Sequence, residues 1–145
     1  MLTKYKSIDF DSDESYEYSH RVLHDKKVLY DNYCDMYHWM KRLADTYTSS
    51  TGMELELGSG GGFFKELYPE IVTSDVTMVN GVDMKIDARD LPFDNETLRC
   101  IYGVHVMHHI PDIELFFREA SRSLKTGGGD RDGGTILESD SKAFL

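Results

Sequence analysis

The chain has 145 residues, with 16 Lys and Arg against 26 Asp and Glu, a formal net charge of −10. That length suits one domain able to bury most of its unfolded surface, and no apolar run is long enough to span a bilayer. The acid excess argues against a nucleic-acid partner, which calls for clustered Lys and Arg, and against an anionic membrane surface. The opening MLTKYKSIDFDSDESYEYSH lacks the apolar stretch of a signal peptide. Cys34 and Cys100 form neither a framework nor a CxxC pair, so a reducing cytoplasm is the expected compartment.

Residues 1–19 are acidic and unpatterned, which predicts a mobile tail. Tyr5, Phe10, Tyr16 and Tyr18 are unusual for plain disorder and leave open a segment that folds over a ligand. From 20 to 51 the pattern is that of a helical cap. Leu29, Tyr33, Met36, Tyr37, Met40, Leu43 and Tyr47 recur at steps of three and four, one apolar stripe on a 3.6-residue period. The stripe packs on a core, and some of its tyrosines are candidates to roof a pocket. Thr48-Ser49-Ser50-Thr51-Gly52 ends the pattern with turn formers.

From 53 to 139 short apolar runs alternate with helical segments. Strands are expected at 54–57, 71–75, 82–87, 98–104 and 135–137. A short helix over 63–68 stops before Pro69, and a longer one starts at Asp112 and runs to Leu124. Ile113, Phe116, Phe117, Ala120 and Leu124 line one face of that helix, and Lys125 and Gly127 close it. Interleaved strands and helices predict an α/β domain with a mostly parallel sheet. Only Val76 to Gly81 separate the second and third strands, too few for a helical crossover of about a dozen residues, so an extended loop is expected there.

Glu54-Leu55-Glu56-Leu57-Gly58-Ser59-Gly60-Gly61-Gly62 is the strongest signal. Glycines at a strand-to-helix turn admit positive φ and let a ligand approach the backbone. The dinucleotide fingerprint G-x-G-x-x-G fails from Gly58, whose sixth position is Phe63, and from Gly60, where it is Lys65. The P-loop signature fails because Gly62 is followed by Phe-Phe-Lys. What fits is an acid and an apolar residue followed by G-x-G-x-G: Glu56, Leu57, Gly58, Gly60 and Gly62. A carboxylate there repels a pyrophosphate and suits an ammonium or a sulfonium. Asp75 ends the second strand, placed for a ribose diol. Asp87 ends the third and can accept from an adenine amino group, with the Ala88 N–H beside it for a ring nitrogen.

ELELGSGGG, TSD, IDARDLPFD, YGVHVMHHIPD and FREASRSLKTGG, in that order, resemble the motifs of class I S-adenosylmethionine-dependent methyltransferases, closest to the small-molecule branch called type 11. The resemblance spans about residues 53–128. It implies a Rossmann-like sheet and S-adenosylmethionine as cofactor. On matching positions, Glu56 holds the methionine end, and Gly58, Ser59, Gly60 and Gly62 form the loop beneath it. Asp75 takes the ribose, Asp87 and Ala88 read the adenine, and Gly103, Val104 and His105 flank the methionine portion.

His105, Val106, Met107, His108, His109 and Pro111 follow the fourth strand. The run straddles a strand end and a turn, so it is not read as a metal site and no metal is expected. His105 and His109 are the candidate catalytic residues, as general base or acceptor orienter, because imidazole titrates near neutral pH. The remaining reading is that one or two of them cap backbone groups.

Three features depart from the family pattern. Arg99 replaces an Asp at the entrance of the fourth strand, away from the pocket. Thr126 replaces a Pro. After GDRDGG and one further strand the chain ends, so the last two strands of the family order 3-2-1-4-5-7-6 have no counterpart and the fifth strand is expected as a bare edge. A shortened product, inactive or cofactor-binding only, or a homodimer through that edge are the two expectations. The expected acceptor is a small molecule.

Overall fold

The computed structural model describes residues 13–48, 51–126 and 134–139. Its elements run α1 (Asp13–Asp25), α2 (Lys27–Tyr47), β1 (Met53–Leu57), α3 (Phe63–Leu67), β2 (Val72–Asp75), β3 (Met84–Lys85), β4 (Leu98–Val104), a 3-10 turn (Met107–His109), α4 (Ile113–Ser123) and β5 (Thr135–Ser139). The sheet order is β3-β2-β1-β4-β5 and every pairing is parallel. This is the α/β, parallel arrangement expected from the alternation of strands and helices, and the Rossmann-like sheet that the family resemblance implies. Among the described residues β5 is an edge strand.

Both faces of the sheet are covered. Leu55, Leu57, Leu98 and Ile101 pack with Phe116, Ala120 and Leu124 on the α4 side. Cys100 and Tyr102 pack with Tyr37, Met40, Ala44, Phe63 and Phe64 on the other. A strand buried on both faces has no wet side, so the Glu-Leu-Glu-Leu alternation of β1 does not mark an exposed edge of the pleat. Glu54 and Glu56 are buried along with the leucines between and after them.

Arg99 is accommodated by a β-bulge. Met53 is opposite Leu98 but Glu54 is opposite Cys100, so Arg99 is the extra residue. Its guanidinium pairs with Asp45 of α2 and lies 3.5 Å from Glu54. Lys41 adds contacts of 2.7 Å to Asp45 and 3.3 Å to Glu54, and the Tyr102 hydroxyl donates to Glu54 at 2.5 Å. The expected position away from the pocket holds, and the network compensates a cation at the start of β4.

Several elements differ from the sequence reading. The acidic segment is helical from Asp13, so residues 13–19 are not a tail; residues 1–12 lie outside the described residues. Only Leu23 of α1 is buried, and polar contacts dock the helix: the Asn80 N–H donates to Asp13 at 3.2 Å, and His20 and His24 meet Glu66. The helical cap expected over 20–51 consists of the end of α1 and the whole of α2, separated at Lys26. Within the α2 stripe Tyr37 and Met40 are core residues, whereas Leu29 and Tyr47 are exposed. The helix bearing Tyr33, Tyr37 and Met40 is therefore packed against the sheet and is not a lid.

The third strand shrinks to two residues. The Asp83 carboxylate accepts from the Thr73 N–H at 2.9 Å and the Thr73 hydroxyl at 3.0 Å, taking the donor that a longer ladder would use. The β2–β3 connection contains no helix, in line with its length. Along α4, Asp112 is an N-cap that accepts from the Leu115 N–H at 3.0 Å. The buried stripe is narrower than expected, Phe116, Ala120 and Leu124, with Ile113 and Phe117 exposed. The glycine stop at 127–128 lies outside the described residues. No helix of the described residues is long and apolar enough to cross a membrane.

Candidate functional site

Parallel strands align their carboxyl ends, and the chain winds outward in opposite directions from β1 and β4. A crevice opens at that switch point. Register brings Leu57, Ser74 and Gly103 level with one another, so the glycine loop, Asp75 and His105 emerge side by side.

The loop is built by its glycines. Gly58, Gly60 and Gly62 take φ of +64°, +54° and +74°. A Cβ on Gly58 would fall 2.6 Å from Val106 Cγ2, and one on Gly62 would fall 2.1 Å from the Gly81 carbonyl oxygen. The loop is stitched to β2. The Ser59 N–H donates to the Ser74 carbonyl at 2.9 Å, the Ser74 N–H to Ser59 Oγ at 3.0 Å, and the Ser74 hydroxyl to the Glu56 carbonyl at 2.8 Å. The Gly60 N–H donates to Asp75 Oδ2 at 3.1 Å. One loop amide is thus already spent on a carboxylate of the protein, the opposite of a phosphate cradle.

A cavity of about 390 Å³ opens at this loop, within the range of small-molecule sites. Gly58, Gly60, Asp75, Asp87, Ala88, His105 and His109 all line it. Leu57, Val76, Ile86, Val106, Ile110 and Pro111 supply the apolar wall. Tyr16 of α1 also borders it; of the two described aromatics of the acidic segment, Tyr16 and Tyr18, it is the one at this cavity, and Tyr5 and Phe10 lie outside the described residues.

The other expected residues are placed differently. Glu56, buried within β1, and Ser59, a loop residue bonded to β2, are not among the residues lining this cavity. Gly62 borders a second cavity shared with His20, Lys65, Glu66 and Gly81. Gly103 sits under Val106, and Val104 packs with the α2 side of the core.

The two acids within reach of the cavity differ in character. Asp87 is exposed, and its carboxylate accepts from the Arg89 backbone N–H at 2.9 Å and from the guanidinium at 2.6 to 3.2 Å. Arg89 holds its pKa down at about 2. Asp75 is buried and also accepts from the Thr77 N–H at 3.3 Å.

Glu56, one residue before the loop's leucine, is 1 % exposed. Its Oε1 accepts from the Tyr37 hydroxyl at 2.9 Å, while Oε2 is buried with no hydrogen-bond partner. Burial pushes its pKa up to about 7, against the opposing pull of the Ser59 and Tyr37 hydroxyls. A buried acceptor without a donor is rare in folded proteins.

His105 is one of two non-glycine residues with positive φ among those described, at +56°. That conformation is uncommon outside glycine and turns the chain sharply at the end of β4. The His108 and His109 rings lie with centroids 4.0 Å apart, tilted 43° to one another. The ligand atoms of this histidine run do not converge as a metal-binding group; among the described residues such a group is formed by His20, His24 and Glu66. Burial pushes the Cys100 thiol up to about 12, so it stays protonated and is no nucleophile.

The sequence profile of the family described as "Methyltransferase domain" matches residues 55–129, and no curated protein matches the chain. Among solved structures, a protein proposed to be an S-adenosyl-L-methionine-dependent methyltransferase from Methanococcus maripaludis is 12% identical. It superposes with a TM-score of 0.64 over 93% of this chain and 66% of its own. Geranyl diphosphate C-methyltransferase from Streptomyces coelicolor, solved with Mg2+, geranyl diphosphate and S-adenosyl-L-homocysteine, is 16% identical, with a TM-score of 0.54 over 69% of this chain and 45% of its own. A proposed methyltransferase from Bacillus halodurans is 24% identical, with a TM-score of 0.50 over 63% and 47%. The chain therefore spans about half to two thirds of the length of these proteins, and the likeness is one of fold.

Proposed function

The chain belongs to the methyltransferase-domain family, and from that premise we propose that it binds S-adenosylmethionine in the cavity beside the glycine loop and transfers the methyl group to a small-molecule acceptor. The observation that carries this reading is Glu56, an acid buried in β1 two residues before the first loop glycine, with one carboxylate oxygen unpartnered. A cation hydrogen-bonded there satisfies the orphan acceptor and favours the ionised form. An ammonium fits, whereas a diphosphate meets Glu56, Asp75 and Asp87 as repelling charges.

Asp75, fixed by the Gly60 N–H, has further lone pairs for a ribose diol. Asp87 and Ala88 face the adenine, with Arg89 holding the Asp87 carboxylate ionised. Gly58 and Gly60 leave room for the ligand against the backbone. Bound there, the cofactor supplies an activated methyl group on a sulfonium.

The chain's own part in the transfer is alignment, exclusion of water and handling of the acceptor's proton. His105 and His109 line the same cavity and are the groups placed to take that proton from a hydroxyl or amine, or to orient it.

Calorimetric titration with S-adenosylmethionine and S-adenosylhomocysteine, run beside a labelled-methyl transfer assay over small hydroxyl, amine and carbon acceptors, tests the proposal. Saturable binding with turnover supports it. Binding without turnover reduces the chain to a cofactor-binding module. A cavity that binds neither compound, or prefers a diphosphate, overturns it.

A further inference from the structure

Away from the glycine-loop cavity, α1 and α3 bring together a donor set that the methyl-transfer reading leaves unused. His20 and His24 are four residues apart on α1 and so share one helical face. Glu66 lies opposite on α3. His20 Nε2 contacts Glu66 Oε1, and His24 Nε2 lies 3.1 Å from Glu66 Oε2. The three residues can each offer a ligand atom within 4.8 Å of the others. A tetrahedral ion bonded at about 2.0 Å holds its ligands about 3.3 Å apart, so modest rotamer changes close the site. The His24 ring is held between Tyr30 and Phe63, with centroids 5.1 and 5.5 Å away, which limits the freedom lost on binding. His20 and Glu66 border the second cavity, about 450 Å³, open to solvent beside Gly61, Gly62 and Lys65.

We propose that His20, His24 and Glu66 bind one divalent first-row metal ion, zinc being the best match, and that the ion clamps α1 onto α3 beside the glycine loop. Two imidazoles and one carboxylate are a borderline-soft set that suits zinc, with the fourth position left to water. Mg2+ and Ca2+ prefer oxygen ligands and are poor competitors.

The clamp has a consequence at the neighbouring cavity. Tyr16 lies four residues before His20 on α1 and borders the candidate cofactor site, so fixing α1 fixes one wall of that site. This last step alone rests on the functional reading above; the metal site does not.

The test uses the full chain, free of any affinity tag and stripped with a chelator, titrated with ZnCl2 by calorimetry and with CoCl2 by visible absorption. The expected result is one ion per chain, the d–d bands of a four-coordinate Co2+ site, and no displacement by excess MgCl2. His24→Ala and Glu66→Gln each weaken Zn2+ binding tenfold or more, and amide exchange in α1 slows with zinc only in the unsubstituted chain. Circular dichroism confirms that the variants are folded, and His20→Gln serves as a milder third probe. Absence of saturable uptake, or equal uptake by all variants, overturns the site. If zinc binds as expected but S-adenosylmethionine does not bind with or without it, the cofactor reading fails and the metal site stands. If S-adenosylmethionine binds equally with and without zinc, the coupling to the cavity is refuted.

Discussion

Glu56 links stability, pH and ligand binding in opposite directions, and Glu56→Gln separates them. Its carboxyl has a pKa of about 7 in the folded chain against a usual 4.5. Between those two values the folded state binds more protons than the unfolded state, so stability falls as pH rises through the window and levels off above it. The gap of 2.5 units corresponds to about 3 kcal/mol as an upper value. Glu56→Gln keeps an acceptor for the Tyr37 hydroxyl and removes the charge. The variant should therefore be the more stable protein at pH 8, by up to about 3 kcal/mol, and should have little advantage at pH 4.5.

Binding runs the other way. A cation placed against Oε2 favours the carboxylate, so binding at pH 7 releases about half a proton, and affinity rises about tenfold between pH 6 and pH 8 for this group alone. The glutamine variant should lose that slope and bind more weakly by about 1.5–3 kcal/mol, the cost of losing a charge-assisted hydrogen bond. Urea denaturation from pH 4.5 to 8 measures the first effect. Calorimetry in two buffers of different ionisation enthalpy, each with the unsubstituted and variant chains, measures the second. A variant that is less stable at pH 8, or one that binds S-adenosylmethionine with unchanged affinity and proton release, refutes the argument.

Other perturbations address the remaining parts of the site and scaffold. Gly58→Val places a side chain at φ +64° and a Cβ 2.6 Å from Val106; calorimetry should find cofactor binding lost or greatly weakened in a chain whose far-ultraviolet dichroism is retained. Asp87→Ala should weaken cofactor binding with little change in fold, because the side chain is exposed and its partner Arg89 is two residues away. His105→Ala should lower turnover by a larger factor than it lowers cofactor affinity, and an equal loss in both measurements would make its role structural. Phe116→Ala removes a fully buried ring between α4 and the sheet and should cost about 3–5 kcal/mol in urea denaturation. Glu54→Leu strips the buried partner from Arg99 and Lys41 and should cost about 3 kcal/mol; Glu54→Leu combined with Arg99→Leu should recover part of that loss.

How far the residues themselves disclosed this molecule depends on the range of the interaction that places each part. The β1–glycine loop–α3 unit is local: strand residues, positive-φ glycines and a helix that stops before Pro69 are set by near neighbours, and their pattern is visible in a dozen letters. The same holds for the Asp112 cap of α4 and for β4, whose predicted and observed bounds coincide. The sheet order needed the ordered motif set, because nothing in one strand says which neighbour it takes.

What was not legible is what distant contacts decide. An acidic stretch with one buried leucine looks like a tail, and α1 holds its place through Asn80 and Glu66, 67 and 46 residues along the chain from their partners Asp13 and His20. Nothing near Glu54 in the sequence says that it is buried; α2 supplies its partner Lys41 from across the fold. Tyr37 reads as a lid residue because it lies on an apolar stripe near a ligand loop. The packing instead drives its ring into stacking contact with Phe64, centroids 4.1 Å apart, and turns its hydroxyl onto Glu56. That hydroxyl is a neutral donor that serves one carboxylate oxygen, so the side chain expected to roof a pocket instead holds Glu56 Oε1 in the core while Oε2 keeps no partner.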